Sequence, residues 1–176
     1  MKALAAVVYR TCQAIWALQA QWRLPDLTAL DGYLNQEQHK LFLEMSRADQ
    51  QHSLAVFQHL RKTGFYDPAL LQAALLHDIG KAGGHVWLWH RVIVVLARAH
   101  SPKLLTWLAQ DRPGSWRYPF YRYLQHARLG AERARLAGVS SEVEALIREH
   151  HDEMPNTSDG VFVARLRALQ RADSTN

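Results

Sequence analysis

Apolar residues recur along this chain at helical spacing and almost never in the alternation of a strand. Leu4, Val8, Ile15 and Trp22 lie on one face of a helix predicted over 1–22. A second pattern predicts helix over 35–62, interrupted near Ser46 and stopped by Gly64. Asp67-Pro68 reads as the N-cap and first-turn proline of a helix through Leu71, Ala74 and Leu75 that ends at Gly80. Residues 86–100 predict another helix, although their Val-Ile-Val-Val run would suit a strand on propensity alone. Ser101-Pro102 opens a short helix that stops near Arg112-Pro113-Gly114. A long helix is predicted over 119–138, another capped by Ser140 runs through His151 before Pro155, and the last covers 161–173. The expected fold is all-α. It is a single-domain helical bundle, with 1–34 as an N-terminal helical extension and 35–176 as the core.

Composition adds little to this picture. A chain of 176 residues, 48% hydrophobic and 21% charged, has the size and balance of one folded domain. Its single cysteine, Cys12, excludes an internal disulfide framework and a cysteine-rich metal cluster. Lys2 and the run 3–8 resemble the start of a secretory signal, but Arg10 and Gln13 break the apolar stretch. No run approaches the ~20 apolar residues of a membrane span, so a cytoplasmic protein is expected. The net charge of +5, with a pI near 9.6, favours anionic partners in general.

Chemistry enters with His77-Asp78, placed at the end of an apolar helix and followed by Ile79-Gly80-Lys81. An ionised aspartate after Ala74-Leu75-Leu76 is costly to bury unless something positive compensates it. A divalent cation would do so, with imidazole nitrogen and carboxylate oxygen as ligands. The plainer alternative is a polar pair closing a helix, with His77 in solvent.

The segment Leu75-Leu76-His77-Asp78-Ile79-Gly80-Lys81 resembles the signature of the HD superfamily of metal-dependent phosphohydrolases. Four other segments agree with that family in order. These are Gln51-His52-Ser53-Leu54-Ala55-Val56, His126-Ala127-Arg128-Leu129-Gly130-Ala131, Ile147-Arg148-Glu149-His150-His151 and Gln170-Arg171-Ala172-Asp173. The resemblance implies that His52, His77, Asp78 and Asp173 hold one metal. It further implies that His126 and His150, with His151 as a further candidate, hold a second, bridged by Asp78. Either one or two divalent ions are expected, drawn from Mn, Fe, Mg, Co and Zn. Two cations about 3.5–4 Å apart need a shared carboxylate, and water between them loses its proton near neutral pH. The implied activity is hydrolysis of a phosphate mono- or diester, a nucleotide for preference, with Asp78 and Lys81 as catalytic residues.

His150 is preferred to His151 as a ligand, because neighbours on a helix diverge by about 100°; a helix ending there would admit both. Asp49, one turn before His52, is expected in solvent, and histidines 39, 59, 85, 90 and 100 are read as structural or exposed. The stretch 112–123 interleaves three arginines with five aromatic residues. Arg117 and Arg122 are candidate substrate contacts beside Lys81, but an aromatic plug with its arginines in solvent is the favoured reading. The paired histidines lack the following Gly-Tyr-Pro of the branch that cleaves cyclic dinucleotides. The competing functions are a non-catalytic ligand- or protein-binding module of the same fold and a metal-dependent nuclease, nucleic acid being admitted but not favoured. Oligomeric state is left open.

Overall fold

The computed structural model describes residues 27–83 and 102–176, together with His90, Ile93, Val94 and Ala97. The described residues form seven α-helices, α1 (Gln36–Leu43), α2 (Arg47–Lys62), α3 (Pro68–Leu76), α4 (Pro102–Leu108), α5 (Tyr118–Leu136), α6 (Ser141–Glu149) and α7 (Gly160–Thr175). Two 3-10 turns, Leu27–Leu30 and Ile79–Lys81, accompany them, and no strand occurs among the described residues. The all-α expectation holds. The helix expected over 1–22 lies outside the described residues, as do His85, His100 and most of 86–100; His90, Ile93, Val94 and Ala97 are helical.

The helix starts follow from their caps. Asn35 and Gln38 form a reciprocal capping box, with Gln38 N donating to Asn35 Oδ1 at 2.9 Å and Asn35 N to Gln38 Oε1 at 3.0 Å. Ser46 divides the predicted 35–62 helix by accepting from Asp49 N at 3.2 Å, and so starts α2. Asp67 accepts from Leu70 N at 2.9 Å, Ser140 from Val143 N at 3.3 Å and Asp159 from Val161 N at 2.9 Å. Gly64 ends α2 at a φ of 90°, where a side chain would be strained.

Helix α3 is the hub, packed against α1, α2, α6 and α7. Its Leu70, Leu71, Ala73, Ala74, Leu75 and Leu76 are all fully buried, which explains why the stretch is apolar on every face. Burying each leucine contributes about 1.5–3 kcal/mol. Around it gather Phe42, Phe57, Leu146, Ile147, Leu166 and Leu169, and Leu30 joins this core from within the expected 1–34 extension. A smaller cluster of Val94, Ala97, Leu105, Leu108 and Phe120 joins α4 to the start of α5. Arg165 on α7 pairs with both Glu142 and Asp67, tying α6 and the start of α3 to the last helix.

Helix α3 ends at Leu76, four residues before the predicted Gly80. His77 and Asp78 form a turn, and the chain re-enters a 3-10 turn at Ile79. That turn lies along α5 because Gly80 has no side chain. A Cβ at Gly80 would overlap the His126 carbonyl and lie 2.7 Å from Gly130 N, and one at Gly130 would lie 3.1 Å from Gly80 N. Two glycines thus bring the His77-Asp78 turn and the His126 helix into backbone contact.

Candidate metal centre

Five elements deliver imidazoles and carboxylates to one place. His52 comes from α2, His77 and Asp78 from the turn after α3, His126 from α5, His150 and His151 from the end of α6, and Asp173 from α7. Three sets could each hold an ion, with ligand atoms within 4.8 Å of one another: His52, His77 and Asp78; His126, His150 and His151; and His77, His150 and Asp173. All seven ligands expected from the sequence therefore meet.

Local backbone aims the rings. His77 Nδ1 is 2.9 Å from the Ala74 carbonyl, His126 Nδ1 2.6 Å from that of Tyr123, and His150 Nδ1 2.7 Å from that of Ile147. In each case the ring reaches back three residues to a carbonyl, which only accepts. The proton therefore sits on Nδ1, and Nε2 is left as a lone pair facing the centre. His77 Nε2 and His150 Nε2 are buried, with no hydrogen-bond partner among the described residues. Two buried nitrogens without a proton or a donor are costly unless a cation meets them.

Asp78 is 1% exposed, and its φ of −99° and ψ of 1° place it in the sparsely allowed region that active-site residues often occupy. Its two oxygens face different ways. Oδ1 lies 3.4 Å from His126 Nε2, whereas Oδ2 lies 3.6 Å from His77 Nε2, 4.0 Å from His52 Nε2 and 2.6 Å from Lys81 Nζ. This is the geometry a bridging carboxylate requires. Asp173 Oδ1 is 2.8 Å from His52 Nε2 and 3.5 Å from His77 Nε2.

The charge pattern suits a cation. Burial alone would raise the Asp78 carboxyl, but Lys81 and then His77, His126 and His52 hold it well below its usual range. Asp173 is also held low: burial opposes this, and the hydrogen bond from His52 and the field of His77, 3.5 Å away, prevail. Burial pushes His126 down to about 3, assisted by Lys81, and pushes His150 well below the ordinary histidine range. Both are neutral at physiological pH, the form in which imidazole can hold a metal. His77 shifts upward, because Asp78 and Asp173 outweigh its burial. Two carboxylates and one ammonium, Lys81, stand beside the neutral imidazoles of His126 and His150, a donor set that suits a hard or borderline divalent cation.

Helix α6 ends at Glu149, so His150 and His151 lie on a turn, and the angular argument for choosing between them does not apply. His151 Nε2 is 3.1 Å from His126 Nε2, and the His150 and His151 ring centroids are 4.0 Å apart. Both histidines face the cluster. His150 Nε2 also lies within reach of His77 and Asp173, so it stands between the two expected ligand sets rather than in the second alone.

Other expectations fare differently. Asp49 is not in solvent but buried, 6% exposed; it accepts a 2.5 Å hydrogen bond from the Ser46 hydroxyl and adds to the field that keeps Lys81 charged. The Ser46-Arg47-Ala48-Asp49 capping spacing was the signal available for that placement. Lys81 is not an exposed lysine after a helix, with only 17% of its side chain accessible. The 112–123 stretch packs as a plug, with Trp116 edge-on to Phe120 and Tyr118 stacked on Tyr121. Two of its three arginines are bound rather than solvated: Arg117 lies 4.2 Å from the Trp107 ring centroid and donates to Leu108 O, and Arg122 donates to Ala82 O, whereas Arg112 is exposed as expected. His90 packs its ring against Phe120, a structural role as expected.

The family model described as HD domain matches residues 50–176 of the chain. No curated protein and no solved structure matches it. Among the described residues, no helix is long and apolar enough to cross a membrane.

Proposed function

The chain belongs to the HD-domain family, and on that premise we propose that it is a metal-dependent phosphohydrolase acting on a phosphate mono- or diester, with a nucleotide as the favoured substrate class. The observation that carries this reading is the pair of orphaned, fully aimed nitrogens on His77 and His150 around a carboxylate whose two oxygens face separate histidine sets. His52, His77, Asp78 and Asp173 would hold one divalent ion, and His126, His150 and His151 a second, with Asp78 shared. Such ions, when bound, would supply a nucleophilic water near neutral pH and stabilise charge on the phosphate oxygens.

The chain's own groups do the rest. Lys81 is held charged beside Asp78 with part of its side chain accessible, so its ammonium is placed to meet a phosphate oxygen at the cluster. Of the three expected substrate contacts we assign this role to Lys81 alone, since Arg117 is engaged with Trp107 and Arg122 with Ala82. His77 and Asp78 are buried, whereas His151 is exposed. The filled ligand set supports an enzyme over a binding module, and the engagement of Arg117 away from the ligands gives a nuclease no support.

Purification without chelator, metal analysis, and assays of a generic phosphodiester and phosphomonoester with added manganese test the proposal. Bound metal and turnover that disappears with chelator are expected. A folded, metal-loaded protein inert towards both substrates would overturn the catalytic reading in favour of a module.

A further inference from the structure

Nothing in the ligand set itself fixes Asp78 against His126, yet the shared-carboxylate geometry depends on that pair. The contact is made by one stripe of α5. At about 100° per residue, positions 122, 126, 130 and 133 fall within an arc of about 80°. All four residues of the stripe meet the segment 78–82. Arg122 donates to the Ala82 carbonyl, and Arg133 Nη1 donates to the Ile79 carbonyl at 3.0 Å. Between them, Gly130 lies against Gly80, and His126 presents Nε2 to Asp78 Oδ1.

The chemistry explains why both ends of the stripe are arginines. The Ala82 carbonyl lies past the end of the turn, where no amide of the turn can reach it, and the Ile79 carbonyl, which accepts from Ala82 N, keeps a second lone pair. A guanidinium supplies donors on a stem long enough to reach in from each side. Arg133 also pairs with Glu44 beyond α1, which steadies it from behind. Arg122 Nε is buried without a hydrogen-bond partner among the described residues, so the bond from Nη2 to the Ala82 carbonyl is what fastens the guanidinium.

We propose that Arg122 and Arg133 are positioning residues that clamp the two ends of the 3-10 turn onto α5 and so set the separation of Asp78 from His126. The consequence for the second ion rests on the metal-centre reading above; the clamp itself does not.

The test uses Arg122→Met and Arg133→Met, which keep the apolar stems, with Arg133→Lys as the conservative variant and Glu44→Ala as a control. Amide hydrogen exchange on the metal-free protein reads the clamp directly through Lys81 N and Ala82 N, which close the turn onto Asp78 O and Ile79 O. Exchange at these amides should rise about tenfold in the Met variants, the worth of a hydrogen bond from a charged donor. Protection in α2 and α7 should be unchanged, Lys should recover part of the effect, and Glu44→Ala should leave it small. In manganese titrations the weaker site should lose about 10- to 100-fold in affinity while the tighter site holds. Unchanged exchange at 81 and 82, or loss of protection spread evenly over every helix, would overturn the clamp. A wild-type protein that binds no manganese would instead sink the metal-centre reading and leave the exchange result to decide the clamp alone.

Discussion

Asp78 offers one oxygen to His126 and the other to His77, His52 and Lys81, so its removal should affect the whole cluster rather than one half. Asp78→Asn is expected to release both ions and lower turnover by at least about 10²-fold, more than the loss of an outer partner. His126→Ala should release mainly the second ion; metal analysis that finds two ions in the His126 variant would refute that division of ligands. Acid should act on the same groups. A histidine whose folded pKa is depressed binds fewer protons folded than unfolded, so lowering the pH drives unfolding. For His126 this window runs from the ordinary 6.5 down to about 3, through its burial and then Lys81. His150 and His151 shift the same way, and His77 alone opposes them. Asp78 and Asp173, held low in the folded state, extend the loss below the ordinary carboxylate value. Metal-free protein should therefore show a lower urea midpoint at about pH 5 than at about pH 7.5, and equal midpoints would contradict the assignment.

Helices impose the site's precision, and the contact between the 3-10 turn and α5 is its tightest joint. Gly80→Ala would drive a methyl group into the His126 carbonyl and the Gly130 amide. A cost of about 2–3 kcal/mol is expected, by the rule for overpacked interiors, and urea denaturation would measure it; a neutral outcome would mean the turn can move away from α5. The helix starts were legible in the sequence because Asn35, Ser46, Asp67, Ser140 and Asp159 cap locally, within three residues. The side chains that gather in the cluster were legible too, because their motifs stand in family order. The early end of α3 was not, since the 3-10 turn is shaped by a partner helix distant in sequence. Nor were the fates of Arg117 and Arg122, which depend on how α5 lies across the fold, whereas the burial of Asp49 had a local signal in the Ser46 capping spacing. The choice between His150 and His151 turned on a helix end that Pro155 only hinted at.

Across the described residues the seven proposed ligands span His52 to Asp173, so bound ions would join α2, α5, α6 and α7 to the turn after α3. Ligand binding to the folded state alone stabilises it by about 2.7 kcal/mol at a hundredfold excess over Kd. Melting temperature should therefore rise with manganese and fall with chelator, and a curve insensitive to both would argue against ions in the centre. The segment between α6 and α7 is largely exposed and carries no helix. A protease that nicked the chain there would sever the backbone between the last helix and everything before it. Asp173 belongs to that final piece, while His52 and His77 belong to the other. In the charged state the two fragments would remain fastened through a shared ion, as if by a removable rivet.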